Sequence, residues 1–324
     1  MVSKSVLSKN LKVFLMLLIG LIAYSSGAIF IRLAIATEGI QGPGFSLFLS
    51  ASRLAMASLL FMPAWQGFLQ ARYAIKHLRW SLISGVGLAG YLATWMMSLN
   101  YTSITASTTL SNLHPVLAIF LAWWWFKDAP KRLALVGTAF ALAGSFMISL
   151  ATPAQVATYS VAWLGNSLAL AGALSNGLYI LLGHQAQSSG IKMRHHTALV
   201  YATATVILLP LPLFLNVGYT GYSTLTYGYV LLLALIPQLI GHTCFNWAMG
   251  WVKPQLLTLV ILGEPIVASF LGYWVFREVQ GVGVLVGAMI LVIGVAIATL
   301  SNQNQQNNRK VERLGEPLDA PTSF

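Results

Sequence analysis

The sequence predicts an all-α membrane protein of ten transmembrane helices, arranged as two inverted five-helix repeats. Three observations carry this expectation. The composition is 57% hydrophobic and 8% charged, with a mean hydropathy of +0.75, whereas a soluble domain carries roughly 25% charged residues. The charges fall mainly between apolar runs, each near the roughly 20 residues that cross a bilayer as a helix. Finally, the chain repeats itself 150 positions on, without a gap. Eleven of 36 positions are identical between Pro115–Leu150 and Pro265–Leu300, among them Pro115/Pro265, Trp124/Trp274, Phe126/Phe276, Gly137/Gly287 and Gly144/Gly294. The pair after the phenylalanine is conserved in kind, Lys127-Asp128 against Arg277-Glu278. Duplication in so apolar a chain points to a transporter whose site lies where the repeats meet.

The spans read, in order, as 12–36, 45–64, 80–100, 103–126, 133–150, 162–183, 197–215, 228–250, 254–276 and 281–300. Length and punctuation place them, because helices that are apolar all round give little periodicity. Pro43-Gly44, Pro130, Pro153 and Pro254 mark boundaries. The first run resembles a signal peptide, with Lys4, Lys9 and Lys12 ahead of an apolar stretch and Ser26-Gly27-Ala28. The stretch nevertheless continues to Ala36 and recurs at 170–182, so it reads as an uncleaved helix. Residues 1–150 then form the first repeat, 151–300 the second, and 301–324 a polar cytoplasmic tail expected to be disordered. Cys244 is the single cysteine, which excludes an internal disulfide and a thiolate metal site.

Lysine and arginine set the orientation. With the N-terminus inside, fifteen of the eighteen lie in cytoplasmic segments, and loops 151–161 and 216–227 carry no charge. This is the positive-inside pattern of a protein in the plasma (inner) membrane with both termini cytoplasmic. The net charge of +11 is explained in the same way, and no basic soluble domain exists to bind nucleic acid. Five helices per repeat is an odd number, so the two copies must be inverted. No Gly-x-x-x-x-Gly-Lys-Ser/Thr run is present, which excludes a P-loop for ATP.

Glu264 is the main candidate for chemistry. It lies inside the ninth span, directly before Pro265, where a charge costs about 2.5–3.5 kcal/mol on insertion scales. Two readings stand: a group that titrates or binds a substrate amine, and a structural acid beside a broken helix. His114 is its equivalent before Pro115 in the first repeat, and an imidazole ordinarily titrates near neutral pH. Both are expected near the pseudo-two-fold axis, with their helices bent at Pro115 and Pro265.

Equivalent faces of the third and eighth spans carry Leu88, Tyr91 and Trp95 against Gln238, Gly241 and Phe245, with His242 alongside. Helical spacing puts each set on one face. Aromatic rings with an amide and an imidazole suit a pocket having a few orienting polar groups. Tyr24, Asn176 and Tyr179 join at similar depth. Arg53, mid-span, has two readings: carboxylate binder or structural cation. Arg32 is expected to snorkel to the outer interface, and Trp123–Trp125 to form an interfacial belt. His184, His195 and His196, in or beside a basic loop with no acid near in sequence, do not form a metal site.

Over residues 12–300 the chain resembles the drug/metabolite transporter superfamily, in its ten-helix EamA-like branch. The resemblance rests on Ala51-Ser52-Arg53-Leu54-Ala55, Leu99-Asn100-Tyr101-Thr102, His114-Pro115-Val116 and Ala143-Gly144. More specific are Leu262-Gly263-Glu264-Pro265 with Phe276-Arg277-Glu278 at their spacing. Two positions depart from the family pattern: Asp128 where Glu is usual, and Tyr24 where Trp is frequent. The resemblance implies a carrier of small metabolites, often an exporter of amino acids. Its expected partners are a small-molecule metabolite, membrane lipid and protons as coupling ion, with no cofactor. An intramembrane enzyme would need a second acid, a Ser–His pair or a metal cluster at one depth. A non-transporting scaffold is the remaining alternative.

Overall fold

The structure is a computed structural model. It describes residues 4–40, 42–71, 73–127, 132–151, 161–242, 244–245, 260–261, 263–277 and 279–314. Among these, every regular element is helical. The first span is two helices, α1 (Lys4–Ser25) and α2 (Gly27–Glu38). They part at Ser26, where the hydroxyls of Ser25 and Ser26 donate to the carbonyls of Leu21 and Ala23 at 2.7 Å. Such back-bonding draws carbonyls off the helix ladder and bends it. α3 (Pro43–Leu60) begins with proline in its first turn, where the missing N–H costs nothing. α4 (Ile75–Ser98) follows, then α5 (Ile104–Ser111), α6 (His114–Phe126), α7 (Arg132–Ala151), α8 (Ala162–Ser188), α9 (Met193–Leu208) and the short α10 (Leu211–Phe214).

α11 (Thr224–Leu233) runs directly into a π-helical segment, Ala234–Gly241, that encloses Pro237. Proline cannot donate one turn back, and a widened turn is how a helix absorbs that loss. α12 (Glu264–Phe276) and α13 (Val282–Leu314) complete the chain. The start of the ninth span, with Lys253 and Pro254, lies outside the described residues, as do Asp128, Pro130, Lys131, Pro153 and Glu278. α13 runs on through 301–314, so the disordered tail expected from 301 is replaced there by helix.

The stretches Lys12–Glu38, Pro43–Leu60, Ala162–Ser188, Met193–Phe214 and Thr224–Gly241 are each long and apolar enough to cross a membrane. Arg132–Ile148, Ile266–Phe276 and Val282–Ala298 are shorter apolar helices. The inversion is legible in the packing of α7 against α13. A methyl group on Gly294 would stand 2.3 Å from the Ala141 nitrogen, and one on Gly144 2.5 Å from the Leu291 nitrogen, so the backbones touch. Gly137 faces Gly294, while Gly144 faces Gly287. These are the duplicated glycines, each meeting the counterpart of the other, so the contact is two-fold and the helices antiparallel. A two-fold axis perpendicular to this antiparallel pair relates the repeats in opposite senses, which is the inverted arrangement. The likeness extends to helix ends: Lys127 and Arg277 close α6 and α12 in the same left-handed conformation, with φ of 57° and 56°.

Candidate functional site

The helix breaks lie one step earlier than a proline bend would put them. In the first repeat α5 ends at Ser111, and α6 starts afresh at His114 after the turn of Asn112 and Leu113. In the second, Gly263 is the turn and α12 starts at Glu264. Pro115 and Pro265 therefore occupy first turns rather than bend a continuous helix. The two breaks are joined through Asn112. Its Nδ2 donates to the Thr108 carbonyl at 3.0 Å and across the repeats to Glu264 Oε2 at 3.2 Å. Glu264 is 4% exposed. Nearby, the hydroxyls of Thr105 and Ser269 form a second cross-repeat hydrogen bond.

Beside this junction stands an aromatic cluster. The hydroxyls of Tyr24 and Tyr91 lie 3.1 Å apart. Tyr91 stacks on Trp95 at 5.8 Å, and Tyr24 meets His242 edge-on at 5.2 Å and Phe245 at 5.8 Å. Gly241 brings the π segment against the Tyr24 backbone, where an added methyl would lie 3.0 Å from its nitrogen. Arg53 on α3, 2% exposed, donates through Nε to Gln238 Oε1 at 3.0 Å. Its guanidinium is in electrostatic reach of Tyr91, Tyr24, Tyr201 and Glu264, and also of His242. A buried guanidinium and a buried carboxyl group thus share a cluster built from both repeats. Such groups are costly inside a membrane protein and mark functional centres.

The family model for the EamA-like transporter family matches residues 11–150 and 163–300. The chain belongs to that family. An uncharacterized transporter of Bacillus subtilis (strain 168), YyaM, is 22% identical over 90% of this chain and 94% of its own. An uncharacterized transporter of Archaeoglobus fulgidus is likewise 22% identical, over 90% of this chain and 98% of its own. One solved crystal structure superposes with a TM-score of 0.55 at 18% identity, covering 90% of this chain and 98% of that one, which supports the fold. The chain is accordingly an integral membrane transporter of the EamA-like type.

Of the residues singled out in this EamA-like chain by sequence, Tyr24, Tyr91, Trp95, Gln238, His242, Phe245 and Glu264 converge in the cluster. Tyr179 borders it through Tyr91 and Tyr201. His114 does not join: its Nδ1–H donates to the Ser111 carbonyl at 3.2 Å, inside its own repeat. Asn176 is buried on α8 one turn before Tyr179, with no side-chain hydrogen bond among the described residues. Arg32 donates to the Thr102 carbonyl. His195 and His196 are buried, bonded to Tyr73 at 2.8 Å and Ser81 at 2.9 Å. Sequence reasoning missed Asn112 and Tyr201. The only signal for Asn112 was its place two residues before His114. A separate cavity of about 430 Å³, lined by Phe120, Trp123, Trp124, Lys127 and Leu174, lies away from the cluster.

Proposed function

We propose that this chain is a secondary transporter that carries a small organic metabolite, such as an amino acid, outward across the plasma (inner) membrane by alternating access. The two inverted repeats, 1–150 and 151–300, rock about the cluster, and Glu264 is the coupling acid. One observation carries this reading: a buried carboxyl at the first turn of a restarted helix, hydrogen-bonded to the break of the opposite repeat. A proton or a substrate amine arriving at Glu264 competes for the oxygen that Asn112 holds, and so bears on the contact between the repeats. A ligand shifts an equilibrium only through such differential contact. Pocket and coupling residues in this reading are Tyr24, Tyr91, Trp95, Asn176, Tyr179, Gln238, His242, Phe245 and Glu264, with His114 in reserve.

The test is transport in proteoliposomes loaded with labelled amino acids. Glu264→Gln keeps size and hydrogen bonding but cannot release a proton. It is expected to lose accumulation driven by a pH gradient while retaining exchange of substrate for substrate. Normal gradient-driven transport by folded, monodisperse Glu264→Gln protein removes this residue from the mechanism. The cytoplasmic placement of both termini is tested in a Cys244→Ser background. A cysteine at Ser188 is expected to resist a membrane-impermeant reagent added from outside, and strong labelling overturns the orientation.

A further inference from the structure

The cluster's unsatisfied atoms differ in kind from one end to the other. Among the described residues, Arg53 Nη1, Gln238 Nε2 and Trp95 Nε1 are buried with no partner at full hydrogen-bond geometry, although the Gln238 amide also lies within reach of the Tyr201 hydroxyl. All three are N–H donors, on residues no more than 3% exposed. Arg53 and Gln238 are already joined by one hydrogen bond, and Trp95 stacks on Tyr91, which lies in reach of the guanidinium. At the Glu264 end, by contrast, the unpaired atom is an acceptor, Asn112 Oδ1. Buried donors left unpaired are destabilising, so these donors in one cluster call for an acceptor that arrives from outside. A cation and two neutral N–H groups beside aromatic rings define that acceptor as anionic, compact and attached to an apolar body.

We infer that Arg53 and Gln238, flanked by Trp95, form a carboxylate clamp, and that the transported solute must carry a carboxylate group, with or without an amine. This rests on the transporter reading and deepens it by fixing one chemical handle of the substrate. The amide of Gln238 holds Arg53 in place through Nε and leaves the remaining donors to the substrate. The rings of Tyr91, Trp95 and Phe245 take its apolar body.

The test uses the purified full-length protein with four probes: benzoate and 3-phenylpropanoate against benzamide and 3-phenylpropanamide. The acids are expected to raise thermal stability, since a ligand that binds only the folded state does so, and the amides are not. Arg53→Lys keeps the charge but loses the planar fork; it is expected to weaken acid binding about 10- to 100-fold. Gln238→Glu pairs Arg53 internally and repels a carboxylate, so it should abolish acid binding while the unliganded protein stays folded. Equal stabilisation by the amides, stabilisation by neither acid, or full acid binding in folded Gln238→Glu protein each overturns the clamp. Proteoliposomes loaded with a metabolite extract separate the two levels of the inference. Transport confined to solutes lacking a carboxylate overturns the clamp and leaves the transporter reading standing. Absence of transport of any loaded solute counts against the transporter reading itself.

Discussion

The two helix breaks began as copies of one passage and now do different things. In the first repeat Asn112 and His114 flank the break; at the same places in the second stand Leu262 and Glu264. His114 spends its hydrogen bond on its own repeat, on the Ser111 carbonyl. Glu264 accepts one from the other repeat, through Asn112. The backbone device, a turn followed by a helix restarting with proline in its first turn, is common to both. Duplication therefore supplied the hinge twice, while the charge sits on one copy. The sharpest break of this comparison is a pair of variants. Glu264→Gln should reduce gradient-driven transport to the level of empty liposomes. His114→Gln should leave at least half of it. Equal loss in the two would restore His114 to the mechanism.

The α7–α13 seam offers the opposite case, where the copies stayed alike. A methyl at Gly137, Gly144 or Gly294 would come within 2.3–2.5 Å of backbone nitrogen, whereas at Gly287 the nearest backbone atoms, Gly144 O and Ile148 N, stand 3.0 Å away and only the Ile148 side chain is closer, at 2.9 Å. Backbone cannot step aside as a side-chain carbon can. Gly294→Ala is thus expected to cost about 3 kcal/mol or more, and Gly287→Ala clearly less, read as thermal midpoints in detergent. Equal midpoints would mean that the seam tolerates separation of its helices.

Much of this was legible in the sequence, for a physical reason. The repeat offset and helical spacing place Tyr91 and Trp95 opposite Phe245 and His242, because both are regularities of the chain itself. The break beside Glu264 was legible as well, since proline must sit where an N–H is not needed. What escaped is contact between distant elements set by an irregular turn. Gln238 reaches Arg53, 185 residues away, from a π-helical segment whose register no 3.6-residue pattern gives. Asn112 escaped because an asparagine in an apolar run looks the same whether it caps its own helix or reaches another; here it does both. Arg32 and the pair His195 and His196 were placed at interfaces by their charge or loop position, yet each finds a partner inside the fold.

The asymmetry of the breaks can be sharpened by erasing it. Asn112→Leu gives the first break the residue that the second carries at Leu262. The side chain fits an apolar run, so the loss is confined to the bonds to the Thr108 carbonyl and to Glu264. A typical hydrogen bond contributes about 0.5–1.5 kcal/mol net. Transport at low substrate should fall about tenfold, with the pH dependence of transport displaced from that of the parent protein. An unchanged pH profile would show that Asn112 only caps α5.

The smallest effects are expected where the repeats meet at the two faces. At one end of the bundle Glu38, at the end of α2, accepts from Ser223 N and Oγ at 2.9 Å and from Thr226 Oγ1 at 2.6 Å, tying it to the start of α11. At the other end Tyr73, the counterpart of Ser223, bonds His195 Nδ1 at 2.8 Å and accepts from Lys192 N at 3.2 Å, tying the start of α4 to the start of α9. The chemistry differs, a carboxylate against a phenol, and so does the attachment: each joint holds the start of one repeat's third span, one to the end of the other repeat's first span and one to the start of its second. If alternating access opens one joint at a time, removing either should shift the population toward opening on that side. Glu38→Gln and Tyr73→Phe each weaken one joint, and a change of a few-fold in a two-state equilibrium is expected. A cysteine at Asn176 in the Cys244→Ser background reports it. Labelling from outside should rise a few-fold in Glu38→Gln and fall by a similar factor in Tyr73→Phe. Shifts of the same sign in both variants would mean that the joints loosen the bundle without selecting a side, and the two faces would not be alternatives of one switch.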